Sequence, residues 1–135
     1  DTGSVKVGPI VLAATEQGMQ YLVMPDGCTL ASVTTYHNRD DTGLMPATRV
    51  QLLVWKLNIT TGTATQLGTT TDPTANLVAY QAHHGFSIST IGEVIDNEQY
   101  VYYIIVNGEA GSQSTNTTWY GCTTTVTVTS QDKAQ

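Results

Sequence analysis

Apolar and polar positions alternate with a period of two along most of the chain. No window of about 11 residues or more shows the i, i+3, i+4, i+7 spacing of an amphipathic helix. The alternation predicts strands at residues 5–12, 19–24, 29–37, 48–57, 64–69, 85–89, 100–106 and 119–129. The segments between them carry specific turn chemistry. Pro25-Asp26-Gly27 presets φ and then offers a permissive glycine, and 58–62 and Asn107-Gly108 do the same after later strands. About eight short strands punctuated in this way predict an all-β, two-sheet antiparallel β-sandwich. Connections too long for simple hairpins throughout make it jelly-roll-like rather than a meander. Residues 1–129 form the expected single domain, with 130–135 a flexible C-terminal tail; 38–46 and 108–116 are the long exposed loops.

Two of the expected strands break the alternation. In VIDNEQYVYYIIV (94–106), Tyr100, Tyr102, Ile104 and Val106 share one face, while Val101, Tyr103 and Ile105 share the other. Residues 48–57 behave alike, with Val50, Leu52 and Val54 opposite Leu53, Trp55 and Leu57. An antiparallel sandwich normally solvates one face of each sheet, so one sheet here carries a second apolar surface that needs a cover. Residues 119–129 set Tyr120, Cys122, Val126 and Val128 against four threonines, which confines the anomaly to one sheet. A neighbouring subunit, a loop of the same chain or a flat ligand could supply the cover. Aliphatic residues beside the aromatics favour a subunit, because an obligate interface resembles a core cut in half. The candidate interface is Leu53, Trp55, Leu57, Tyr100, Tyr102 and Ile104.

Composition supports sheet and narrows the partners. At 135 residues the chain suits one domain. Charged residues make up only 12% and threonine fills 24 positions, which favours pleated structure. A net charge of -6 with five Lys or Arg leaves no basic patch for nucleic acid or an anionic membrane surface. No apolar run reaches the ~18 residues of a membrane helix, so insertion is not expected. Asp1 in place of an initiator Met reads as a processed chain or an excised domain.

Candidate chemistry is sparse. His83 and His84 are adjacent, so on a strand they point to opposite faces and do not share a metal. Asp96-Asn97-Glu98 reads as a turn whose side chains bond the local backbone. Nucleophile-elbow, P-loop, zincin and dinucleotide fingerprints are absent, and no pair of carboxylates stands out. Neither an enzyme, a metal nor a cofactor is therefore expected. Asn58-Ile59-Thr60 and Asn116-Thr117-Thr118 match the glycosylation pattern, as chance allows in so threonine-rich a chain. Cys28 and Cys122 are either a candidate disulfide, worth about 4 to 5 kcal/mol for so long a loop, or two buried thiols.

Four segments, LVMPDGCTL (22–30), VQLLVWKLNITTG (50–62), VIDNEQYVYY (94–103) and WYGCTTTV (119–126), resemble all-β modules of phage structural proteins and bacterial secreted or surface proteins. The resemblance implies a jelly-roll-like sandwich serving as a trimer-forming terminal or decorating unit, without catalysis. If Cys28 and Cys122 lie on neighbouring core strands, it also fits a disulfide and an extracellular setting. The expected role is a non-enzymatic structural module (decoration, fibre or surface protein) of a virion or extracellular assembly, oligomerising through its apolar sheet face. Its location would be the virion surface or the extracellular space. The alternatives are an adhesive, glycan-binding module using loops 38–46 and 108–116, and a filament subunit donating strand 5–12 to a neighbour.

Overall fold

The computed structural model describes residues 5–6, 10–12, 17–39, 49–71, 81–109 and 117–128, and every element among them is a strand. The strands are β1 (Val5–Lys6), β2 (Ile10–Leu12), β3 (Gln17–Leu22), β4 (Thr29–Arg39), β5 (Arg49–Asn58), β6 (Ala64–Thr71), β7 (Gln81–Ile88), β8 (Glu93–Val94), β9 (Tyr100–Glu109) and β10 (Thr117–Thr127). The first sheet runs β1-β3-β9-β5-β6 and the second β2-β10-β4-β7, with β8 beside β4. All pairings are antiparallel except β1 with β3.

Without β1 and the two-residue β8, the remaining strands counted along the chain have the orders 1-8-3-6 and 2-7-4-5. Each sheet takes strands from both ends of the chain, as the two Greek keys of a jelly roll require. The expected strand at 5–12 is divided: β1 joins the first sheet and β2 the second, both paired within their own chain.

The core lies between the sheets. Val50, Leu52 and Val54 of β5, Tyr102, Ile104 and Val106 of β9, and Leu22 of β3 face Leu30 and Val33 of β4, Phe86 of β7 and Trp119 of β10. The Trp119 ring lies against Gly18, where a Cβ would come within 2.4 Å of it, so that position on β3 has no room for a side chain. Trp119 Nε1 donates to Thr35 Oγ1 at 2.7 Å, and Thr35 donates in turn to the Gly121 carbonyl at 3.2 Å, so the buried polar atoms of this contact are matched.

Several sequence expectations change in detail. Tyr120 is exposed and Trp119 is buried, the reverse of uniform alternation, because the β10 to β4 register shifts between Trp119 and Gly121. Gly121 adopts φ +123°, so this irregularity reverses the facing of the residues beyond it. Asn107-Gly108 is no turn: β9 continues to Glu109, paired with Arg49 to Gln51 of β5. The turns at Pro25 to Gly27 and at 58–62 form, with φ +81° at Gly27 and +74° at Gly62.

No disulfide joins Cys28 and Cys122. Cys122 pairs with Thr35 of β4, and Thr35 lies seven positions beyond Cys28. At ~3.3 Å per residue that is about 23 Å along the sheet, far beyond the ~7 Å Cα separation a disulfide spans.

Candidate functional site

The site is the outer face of the first sheet, and strand register organises it into rows. Tyr21 of β3, Tyr103 of β9 and Trp55 of β5 are cross-strand partners in one row, with Gln66 of β6 beyond them. Met19, Ile105 and Leu53 form the next row, ending at Thr69. Gln17, Asn107 and Gln51 form an amide row ending at Thr71. On the other side of the aromatic row, Val101 pairs with Leu57. None of these residues is charged.

Met19, Tyr21, Leu57, Val101, Tyr103 and Ile105 line a shallow trough of about 390 Å³ on this face. Tyr21 is 60% exposed, while Tyr103 is half-buried and its hydroxyl is pushed above its ordinary pKa by that burial. The Tyr21 and Tyr103 rings meet edge to face, 6.5 Å between centroids and 67° between planes. The pair therefore offers no continuous flat platform for a sugar ring. In the amide row Asn107 Nδ2 donates to Gln51 Oε1 at 2.9 Å.

The candidate interface residues divide between the two faces. Leu53, Trp55 and Leu57 lie on the outer face. Tyr102 and Ile104 point into the core at 1% and 0% exposure, and half-buried Tyr100 packs against that same cluster, so these three are corrected from interface to interior. Their outer counterparts are Val101, Tyr103 and Ile105. Both parities of β9 are apolar, so composition alone could not choose between them. The amides could have done so: Gln51 and Asn107 share the parity of Trp55 and Tyr103, whereas Val50 and Val106 keep the other parity wholly aliphatic at its far end.

The mouth of the core beside β8 carries a polar clasp. Lys56 of β5 donates to Glu93 Oε2 of β8 at 2.8 Å and stands 4.4 Å from the Tyr100 ring centroid. Tyr102 donates to the same carboxylate at 3.3 Å and accepts from the Asp96 amide at 3.0 Å, which satisfies its buried hydroxyl. Burial raises the Tyr102 pKa, and the bond to Glu93 raises that of Lys56. Asp96 Oδ1 accepts from the amides of Glu98 and Gln99, so this segment is the turn its composition suggests. The clasp joins the first sheet to the strand paired with the second.

The second sheet differs on its outer face. Thr34 bonds Ser87 at 2.6 Å, Tyr36 lies 3.5 Å from Thr123, and Thr125 and Thr127 are exposed: a hydroxyl-rich surface that water covers well. Among the described residues no three His, Cys, Asp or Glu side chains are grouped as a metal would require. The side chains of His83 and His84, residue Asn116 and tail 130–135 lie outside what is described, as do residues 40–46 and 110–116 of the two long loops. No family model, curated protein or solved structure matches the chain.

Proposed function

We propose that this chain is a non-enzymatic structural module of a virion or extracellular assembly, and that it self-associates through the outer face of its first sheet. The observation that carries the reading is the contrast between the two outer faces: one is hydroxyl-rich, the other carries an apolar surface of Met19, Tyr21, Leu53, Trp55, Leu57, Val101, Tyr103 and Ile105, with the Arg49 and Glu109 positions paired beyond its amide row. A contiguous apolar surface rimmed by polar residues marks an association site. The edge-to-face tyrosines favour a packed protein partner over a stacked glycan. The pairing of β1 and β2 inside their own chain favours this reading over strand donation.

Paired variants test the reading. Leu53→Asp sets a carboxylate on the outer face and should reduce the native mass to that of a monomer while leaving the far-ultraviolet circular dichroism unchanged. Tyr102→Asp sets one in the core, where an unpaired charge costs several kcal/mol, and should unfold the chain. An unchanged oligomeric mass for Leu53→Asp would refute the proposal.

A further inference from the structure

We infer that Asn58 is an acceptor for an N-linked glycan, carried on its Nδ2 at the β5 end of the hairpin that joins β5 to β6. The inference draws on the extracellular setting proposed above and adds a covalent partner for it.

Asn58-Ile59-Thr60 matches the acceptor pattern, which in a threonine-rich chain also arises by chance. What distinguishes this copy is which atoms of the turn are already committed. Asn58 Oδ1 accepts from the amides of Thr60 at 2.9 Å and Thr61 at 3.0 Å. Two donors aimed at one atom fix the orientation of the side-chain amide, so the other atom, Nδ2, is the one left outside the turn's bonding. Among the described residues Nδ2 has no hydrogen-bond partner, and it is not enclosed. Asn97 and Asn107 differ: their Nδ2 atoms donate to the Met24 carbonyl and to Gln51 Oε1, both at 2.9 Å.

The third position of the pattern is available in the same way. Thr61 Oγ1 donates to Thr63 Oγ1 at 3.1 Å, whereas the Thr60 hydroxyl has no partner among the described residues. Residues 59–63 are all exposed, Ile59 by 55%.

The hairpin keeps its bonds when Nδ2 is substituted. Asn58 N donates to the Thr63 carbonyl at 2.9 Å, Gly62 N to the Asn58 carbonyl at 2.8 Å and Ile59 N to the Gln99 carbonyl at 3.0 Å. None of these uses Nδ2, and a glycosylated asparagine retains its Oδ1 for the Thr60 and Thr61 amides. The donor class is a glycan carried on a polyprenyl pyrophosphate. Nδ2 bonds to the anomeric carbon and the C–O bond to the pyrophosphate breaks. The pyrophosphate leaves with the electron pair, and Nδ2 gives up one proton to solvent.

Expression behind a cleavable leader in cultured eukaryotic cells tests the assignment, on chain recovered from the medium or from the secretory lumen. Peptide mass spectrometry should find a glycan on Asn58 that peptide N-glycosidase removes, leaving aspartate at that position. Thr60→Ala, which keeps the backbone amide that Asn58 Oδ1 accepts from, should abolish the glycan, and Thr60→Ser should retain it. The glycosylated chain and Thr60→Ala should share one circular dichroism spectrum and one Tm, because the sugar stands in solvent. Recovered chain that is unmodified at Asn58, or modified at Asn116 alone, would overturn the inference. A markedly lower Tm for the glycosylated chain would overturn the placement of Nδ2 and the inference with it. Association is read separately, by the native mass of Leu53→Asp, so the failure of either reading is distinguishable from that of the other.

Discussion

Tyr102 and Tyr103 are neighbours in the chain with opposite environments: one anchors the core clasp through Glu93 and the Asp96 amide, the other stands in the outer aromatic row. What separates them is the period of two, which any strand imposes, and a phase, which only the partners on each face decide. The period was legible in the sequence; the phase was hidden by having Ile, Val and Tyr on both parities. Burial raises the pKa values of the thiol and phenol groups here, while on Lys56 it opposes the larger, raising effect of the hydrogen bond to Glu93. It pushes the Cys122 thiol up to about 11 from 9.0 and raises Tyr102 and Tyr103, while Glu93 raises Lys56. Groups with raised folded pKa values contribute fully below their unfolded values and lose that contribution as pH climbs through the folded ones. Between pH 7 and 9 these residues should leave Tm unchanged. From about 9 to 11 Tm should fall as the unfolded chain releases the Cys122 proton that the folded chain retains. Cys122→Val should remove the earliest part of that fall. A wild-type Tm that stays level to pH 11 would contradict the assignment.

At the scale of elements, the sequence located all the long strands, because alternation and turn residues act locally. It missed β8, whose two residues show no periodicity, and it ended β9 too early. Asn107-Gly108 has turn chemistry, but pairing with β5 overrides it. It also misread the start of β10, because an irregularity is invisible to a rule that assumes strict alternation. Gly121 holds that irregularity at φ +123°, a conformation that side chains rarely adopt, with a Cβ position 3.2 Å from Gln20 Oε1. Gly121→Ala should therefore cost about 1–3 kcal/mol, read as a lower midpoint in urea unfolding. An unchanged midpoint would show that the backbone at this position relaxes without strain.

For the whole molecule, long loops and eight strands pointed to a jelly roll, and the strand orders have that form. What the sequence could not supply was which strands become neighbours, since pairings such as β3 with β9 join residues 80 to 90 positions apart. Only that pairing puts Met19 and Tyr21 beside Ile105 and Tyr103 and so completes the outer face. The same register separates Cys28 from Cys122 and rules out the bridge that their number suggested. The proposed association rests on the contrast between one hydroxyl-rich and one apolar outer face. Sedimentation equilibrium of the unmodified chain at tens of micromolar tests this most directly. A discrete oligomer that Leu53→Asp dissociates is expected; a clean monomer across the concentration range would contradict the proposed association.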